Sequence, residues 1–171
     1  MAIIEKFLGK RVEIPVDRRY FPKQGLWGKA EKGMIVFGLT QPFLVLAGGF
    51  NEMDWIAEEG ASVESGEAVV FAITGKILYI DTPIGGNITF NPSIKRERES
   101  VGNSPYGEGW LFKIKPASES AFAMETAVDH LGYLESLKGS EGFKNPEGVV
   151  GGVSGICKAV YTGIRGQKFD K

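Results

Sequence analysis

Lys76 is the side chain best placed to do chemistry. It lies in Ala72-Ile-Thr-Gly-Lys-Ile77, between two apolar runs. There Gly75-Lys76 reads as a tight turn, with Gly75 supplying the positive φ that such turns need. A turn lysine is exposed, and its amine can be converted to an amide. Turn chemistry by itself reads Lys76 as a solvated charge at a hairpin tip. A second nucleophile is Cys157, with His130 as a base, but a lone cysteine in an apolar run reads as a small buried hydrophobe. One cysteine and one histidine in the whole chain exclude an intramolecular disulfide and cysteine or multi-histidine metal clusters, and argue against a Ser/His/Asp hydrolase. Glu58-Glu59 and the pair Glu97 and Glu99 read as solvated loop charge rather than paired acid/base carboxylates. No residue is assigned a catalytic role.

The rest of the chain must position that amine. Its 171 residues fit one domain, or a domain of about 120 residues with an appendage. A composition 43% hydrophobic and 11% aromatic describes a folded protein. The net charge of -1 gives no electrostatic case for nucleic acid or anionic membrane. The densest basic stretch, Lys95-Arg-Glu-Arg98, alternates with acid and reads as a solvated loop. No apolar run reaches the length of about 18 residues that spans a membrane. No basic start followed by a long apolar segment marks a secretory leader, so a cytoplasmic protein is expected.

Residues 1–24 read as irregular. Segments 26–32 and 34–39 read as strands joined by a turn at Lys32-Gly33. Pro42 suits the first turn of a short helix over 43–47, which Gly48-Gly49 ends. Short strands follow at 55–57, 68–74, 77–81 and 87–90, separated by glycine-bearing turns, as in a sandwich or barrel. A Pro-Tyr-Gly turn then feeds a strand with Trp110 and Phe112 on one face and Leu111 and Lys113 on the other. Trp55 and Trp110 read as packing residues. Tyr106 and Glu108 suit either partner docking or the turn itself. Met124, Val128, Leu131, Leu134 and Leu137 mark one face of a helix, capped by Ser118 or Ser120 and ended by a left-handed Gly139. The glycine-rich stretch 139–171 carries one strand-like run, 156–161.

The string Tyr106-Gly-Glu-Gly-Trp-Leu-Phe-Lys113 closely resembles the last core strand of the glycine cleavage system H-protein family. Trp27 matches the tryptophan of that family's His-Glu-Trp motif, and Val36-Phe-Gly-Leu-Thr40 resembles its next strand. Gly48, Gly60, Gly66-Glu67, Pro83-Ile-Gly-Gly-Asn-Ile88 and Asn91 follow in order. The resemblance covers roughly residues 20–138. It implies a mainly β fold, the lipoyl/biotinyl-type flattened β-barrel (barrel-sandwich hybrid) with a C-terminal helix. The implied organisation is an N-terminal extension over 1–24, a lipoyl domain with its helix over 25–138 and an extension over 139–171.

The same resemblance implies a non-catalytic carrier with lipoate attached to a lysine. Counted forward from Gly66, Lys76 falls at the family's lysine; counted back from Pro83, Gly75 occupies that slot. A one-residue deletion after the lysine reconciles the counts, so Lys76, beside Gly75, is the candidate attachment site. The implied partners are a lipoate-attaching enzyme and a glycine-cleavage-type decarboxylase, aminomethyltransferase and dihydrolipoyl dehydrogenase, or instead sulfur-oxidation enzymes that use a lipoyl carrier. Two departures mark a divergent paralogue. Ile73 replaces a glutamate three residues before the lysine that serves lipoylating enzymes. Gly25 and Leu26 replace the His-Glu pair, whose carboxylate is placed to hold a charged aminomethyl cargo. The alternative is an unmodified binding or scaffold paralogue that keeps the fold.

Overall fold

Apolar side chains on both faces of the same strands dictate three layers. The computed structural model describes residues 1–149. The chain opens with β1 (Ala2–Phe7), β2 (Lys10–Ile14) and β3 (Arg19–Phe21), then β4 (Leu26–Glu31), β5 (Met34–Leu39) and α1 (Gln41–Leu46). Next come β6 (Glu52–Trp55), β7 (Ser62–Val63), β8 (Ala68–Ile73), β9 (Ile77–Asp81) and β10 (Gly86–Phe90). The last elements are α2 (Ser100–Asn103), β11 (Phe112–Pro116), α3 (His130–Leu137) and α4 (Glu141–Lys144). They build a six-stranded sheet in the order β3-β4-β5-β11-β10-β7, a three-stranded sheet β6-β8-β9 and the hairpin β1-β2. The sheets stay open, giving the mainly β flattened sandwich that the strand pattern and the resemblance imply.

Alternation along β3, β4 and β5 sorts the layers. Phe21, Leu26, Ile35 and Phe37 face a core shared with Val70, Ala72 and Ile80 of the three-stranded sheet. Their neighbours Tyr20, Trp27 and Val36 face the other way, onto Phe7, Val12 and Ile14 of the first hairpin and Tyr133 and Leu137 of α3. A strand buried on both faces needs apolar residues at both parities, and these strands have them. Lys32 (φ 51°) and Gly33 (φ 78°) make the expected primed turn between β4 and β5.

Thr40 fixes the start of α1. Its hydroxyl accepts the Phe43 N–H at 3.1 Å and meets the Tyr133 hydroxyl at 2.5 Å, with Thr40 fully buried. Thr40→Ala removes a helix cap and leaves a buried phenol without its partner. The expected loss is about 2–3 kcal/mol, read as a lower urea midpoint.

Several sequence expectations are corrected. Residues 1–24 are not irregular: β1 and β2 pair from Ala2↔Ile14 to Phe7↔Lys10, and β3 is an edge of the large sheet. The strand expected at 55–57 is instead Glu52–Trp55. The helix is only His130–Leu137, capped by Asp129, whose carboxylate accepts the Gly132 N–H. Ser118 instead caps a 3-10 turn, Glu119–Ala123. Met124 is left-handed, Val128 is bridged to Tyr20, and Leu131 is exposed. Gly139 has no positive φ.

The faces of the 110–113 segment also differ from expectation. Leu111 and Phe112 both enter the main core, while Trp110 packs on the other side beneath the Lys113 ammonium. Regular pleating begins only at Phe112, so a parity count from Trp110 fails. Beyond α3, the chain returns to the first hairpin: Phe143 meets Phe7 edge-on, and the Gly9 N–H bonds the Pro146 carbonyl at 2.7 Å. The run 156–161 and Cys157 lie outside the described residues.

Candidate functional site

Two apolar strands, β8 and β9, present Lys76. They pair antiparallel, with Ile73↔Ile77 as the last pair before a three-residue turn. Thr74 ties that turn. Its N–H bonds the Lys76 carbonyl at 2.8 Å, and its hydroxyl donates to the same carbonyl at 3.2 Å while accepting the Lys76 N–H at 3.3 Å. A threonine hydroxyl closing its own backbone two residues on is a known turn device. The loop between α1 and β6 anchors the turn from outside: Asn51 bonds Ile73 O through its N–H and Thr74 O through its side chain, and the Gly75 N–H faces the Ala47 carbonyl at 3.5 Å.

The positive φ expected at Gly75 is not found. A Cβ there would meet only the Ala47 carbonyl, at 3.8 Å. Threonine hydrogen bonding, not glycine's freedom, makes this turn. Gly75→Ala is therefore expected to move stability by under about 0.5 kcal/mol. Thr74→Val, which loses the hydroxyl bonds of a buried residue, should cost about 1–2 kcal/mol. Urea titration of both variants checks the contrast.

Lys76 is exposed and joins none of the ion pairs formed among the described residues. Its neighbours are apolar, with Ile77 59% and Tyr79 65% exposed. Phe71 packs edge-on against Tyr79, and the acids Glu52 and Asp54 stand opposite Ile73 and Phe71 across the sheet. The Asp54 carboxyl is held below its ordinary value by the Trp55 N–H and then by Lys95 at 3.2 Å. The same loop helps line a mainly apolar cavity of about 430 Å³, formed by Leu8, Lys10, Leu44, Val45, Gly48, Gly49, Phe50 and Gly102.

The positions of the family's His-Glu pair are closed to solvent chemistry. Leu26 is fully buried in the main core. Gly25 (φ 72°) lies beneath the Phe43 ring, which a Cβ would strike. Trp27 is spent on structure: its indole N–H bonds Pro105 O at 2.9 Å, and the Arg18 guanidinium covers its ring at 4.6 Å. Tyr106 is a strut as well, donating to Glu13 O at 2.6 Å and accepting the Gln41 N–H at 3.0 Å. Burial pushes its phenol far above the ordinary range.

The remaining candidates stay apart. Glu59 accepts the Phe90 N–H at 2.9 Å, and Glu97 and Glu99 lie on an exposed loop. Trp55 stacks on Phe90, as a packing residue should. His130 begins α3, while its supposed partner Cys157 lies outside the described residues. Among the described residues no group of three or more His, Cys, Asp or Glu could hold a metal, and no helix is long and apolar enough to cross a membrane. Sequence reasoning missed Thr74 and Asn51, the residues that hold the turn. A threonine just before Gly-Lys was the available signal for the first; Asn51 is a long-range contact and left none.

Known proteins resemble this arrangement. A profile of the family described as "Glycine cleavage H-protein" matches residues 18–141. A glycine cleavage system H protein of Thermus thermophilus is 31% identical over 129 residues, spanning 74% of this chain and 98% of that protein. Glycine cleavage system H protein 5 of Aquifex aeolicus is 30% identical over 112 residues, spanning 62% and 75%. The crystal structure of a glycine cleavage system H protein from Mycobacterium marinum shares the fold with a TM-score of 0.54 at 23% identity, over 66% of this chain and 98% of that one. With most of its length matched, this chain belongs to the glycine cleavage H-protein family.

Proposed function

We propose that this protein is a lipoyl carrier, with lipoate held as an amide on the Lys76 amine, shuttling a group or electrons between partner enzymes. The family is a non-catalytic component that carries lipoate between the enzymes of glycine cleavage. The observation that supports the reading here is Lys76 itself: an exposed amine on a hairpin tip that Thr74 and Asn51 hold in shape. The residues fit the group, because acylation needs a reachable amine and costs Lys76 no ion pair formed with the described residues. When bound, lipoate supplies a dithiolane that accepts a group or electrons on sulfur.

The chain's own part in attachment is small. The Nζ lone pair attacks the activated lipoyl carbonyl, a C–N bond forms, and the activating group leaves with its electron pair as Nζ gives up a proton. The lipoate-attaching enzyme supplies the activation and the base. Afterwards the flexible lysine stem replaces free diffusion with a high local concentration at each partner.

A divergent pathway suits the site better than standard glycine cleavage. A carboxylate can hold an ammonium cargo in a partly desolvated cleft, and neither Gly25 nor buried Leu26 offers one. The partners proposed are therefore a lipoate-attaching enzyme, a dihydrolipoyl dehydrogenase and a loading enzyme. The loading enzyme is either a glycine-cleavage-type decarboxylase and aminomethyltransferase pair or a sulfur-oxidation enzyme. Intact mass of the protein from its native host, with peptide mapping across residues 68–95, tests the reading. A lipoyl-sized increment on Lys76 is expected. Unmodified Lys76, in cells that lipoylate other proteins, would overturn it and leave an unmodified binding or scaffold paralogue.

A further inference from the structure

We propose that the edge of β9 left unpaired among the described residues is a strand-addition site for the enzyme that modifies Lys76, which adds an extended segment along Ile77 and Tyr79. This rests on the carrier reading, since it assigns the partner from the fate of Lys76. The backbone pattern carries the inference. Antiparallel ladders alternate between bonded and non-bonded pairs. The bond from Thr74 N–H to Lys76 O makes 74 and 76 a bonded pair, so 72 and 78 are the next. Ile77 and Tyr79 then turn their N–H and C=O groups away from β8. Among the described residues, the order β6-β8-β9 leaves no strand on that side, and neither residue's backbone bonds a turn or loop.

Natural sheet edges are normally blunted by proline, by inward charge, by a bulge or by a covering loop. The run Ile77-Leu-Tyr-Ile80 has no proline and no charge, and the register irregularity of this pair lies at its far end, beside Ala68. An open edge of this kind suits a partner strand. Charge sets the occupant's pattern: an antiparallel segment places a basic residue opposite Asp81 and apolar residues opposite Tyr79 and Ile77. Such a strand would end beside Lys76, where the amine must enter the partner's active site.

The test uses the full chain and the native host's lipoate-attaching enzyme. Amide exchange is measured on Lys76→Arg, which cannot be acylated, with and without that enzyme. Labelling by lipoate and ATP is followed by intact mass for the wild type, Tyr79→Pro and Tyr79→Thr. Proline deletes the outward N–H without removing a ladder bond; threonine keeps it. The expected results are slowed exchange at Ile77 and Tyr79 only with enzyme, and about tenfold slower labelling of Tyr79→Pro than of Tyr79→Thr.

Wild-type labelling without edge protection, and with Tyr79→Pro labelled at the wild-type rate, overturns the edge and leaves the carrier standing. Protection with no labelling of the wild type keeps the edge and sinks the carrier; neither signal sinks both. Protection without enzyme, at doubled mass, assigns the edge to a second copy of this chain instead. Exchange on Lys76→Arg decides the matter if Tyr79→Pro does not fold.

Discussion

Lys76→Arg is expected to abolish the lipoyl increment completely while leaving the unfolding midpoint where it was. Arginine keeps the charge and the length but offers a delocalised guanidinium that stays protonated and does not acylate. The side chain it replaces is exposed and makes no ion pair with the described residues. The turn is held by backbone groups and by the Thr74 and Asn51 side chains, none of which the substitution touches. Loss of the increment with an unchanged urea midpoint would isolate the amine as the working group. A retained increment would move attachment to another lysine, and peptide mapping would name it.

Phe112→Ala should have the largest effect on stability, about 3–5 kcal/mol. Phe112 is fully buried, stacked on Phe37 at 5.1 Å and edge-on to Phe90 at 6.5 Å. Those contacts join three neighbouring strands, β5, β11 and β10, because Phe112 is in register with Phe37 on one side and Phe90 on the other. Truncation leaves a cavity between two sheets that β ladders on both sides keep from collapsing. Against a total stability of about 5–15 kcal/mol, this loss is a large fraction. A urea titration followed by tryptophan fluorescence measures it, and a cost below about 1 kcal/mol would mean that the core closes around the gap. Leu131→Ala is the control: Leu131 belongs to the apolar stripe of the sequence but is 61% exposed, so its removal should cost little.

The contrast between those two residues shows what was legible. Local sequence was enough for the β4–β5 hairpin, the short helix after Thr40 and the β8–β9 hairpin with Lys76 at its tip. Each of these is set by neighbours in the chain: alternating apolar residues, a primed turn at Lys32-Gly33, a proline in a first helical turn. The resemblance pointed to Lys76 by the same local counting.

Long-range packing accounts for the rest. Strands β1 to β3 were unreadable because Phe7, Val12, Ile14 and Tyr20 serve a second core, to which α3, more than 100 residues later, supplies Tyr133 and Leu137. The helical stripe from Met124 failed because Val128 gives its backbone to Tyr20, a pairing stronger than a run of helical spacing. Gly75 does not take up a left-handed bend: the Thr74 hydroxyl closes the turn, and Asn51 and Ala47 anchor it from across the loop. Leu26 was closed off by packing against the opposite sheet, and β9 was left at an edge by sheet order alone. Periodicity and turn chemistry act over a few residues, whereas pairing and burial are settled by segments far apart in the chain, and only the folded chain brings those together.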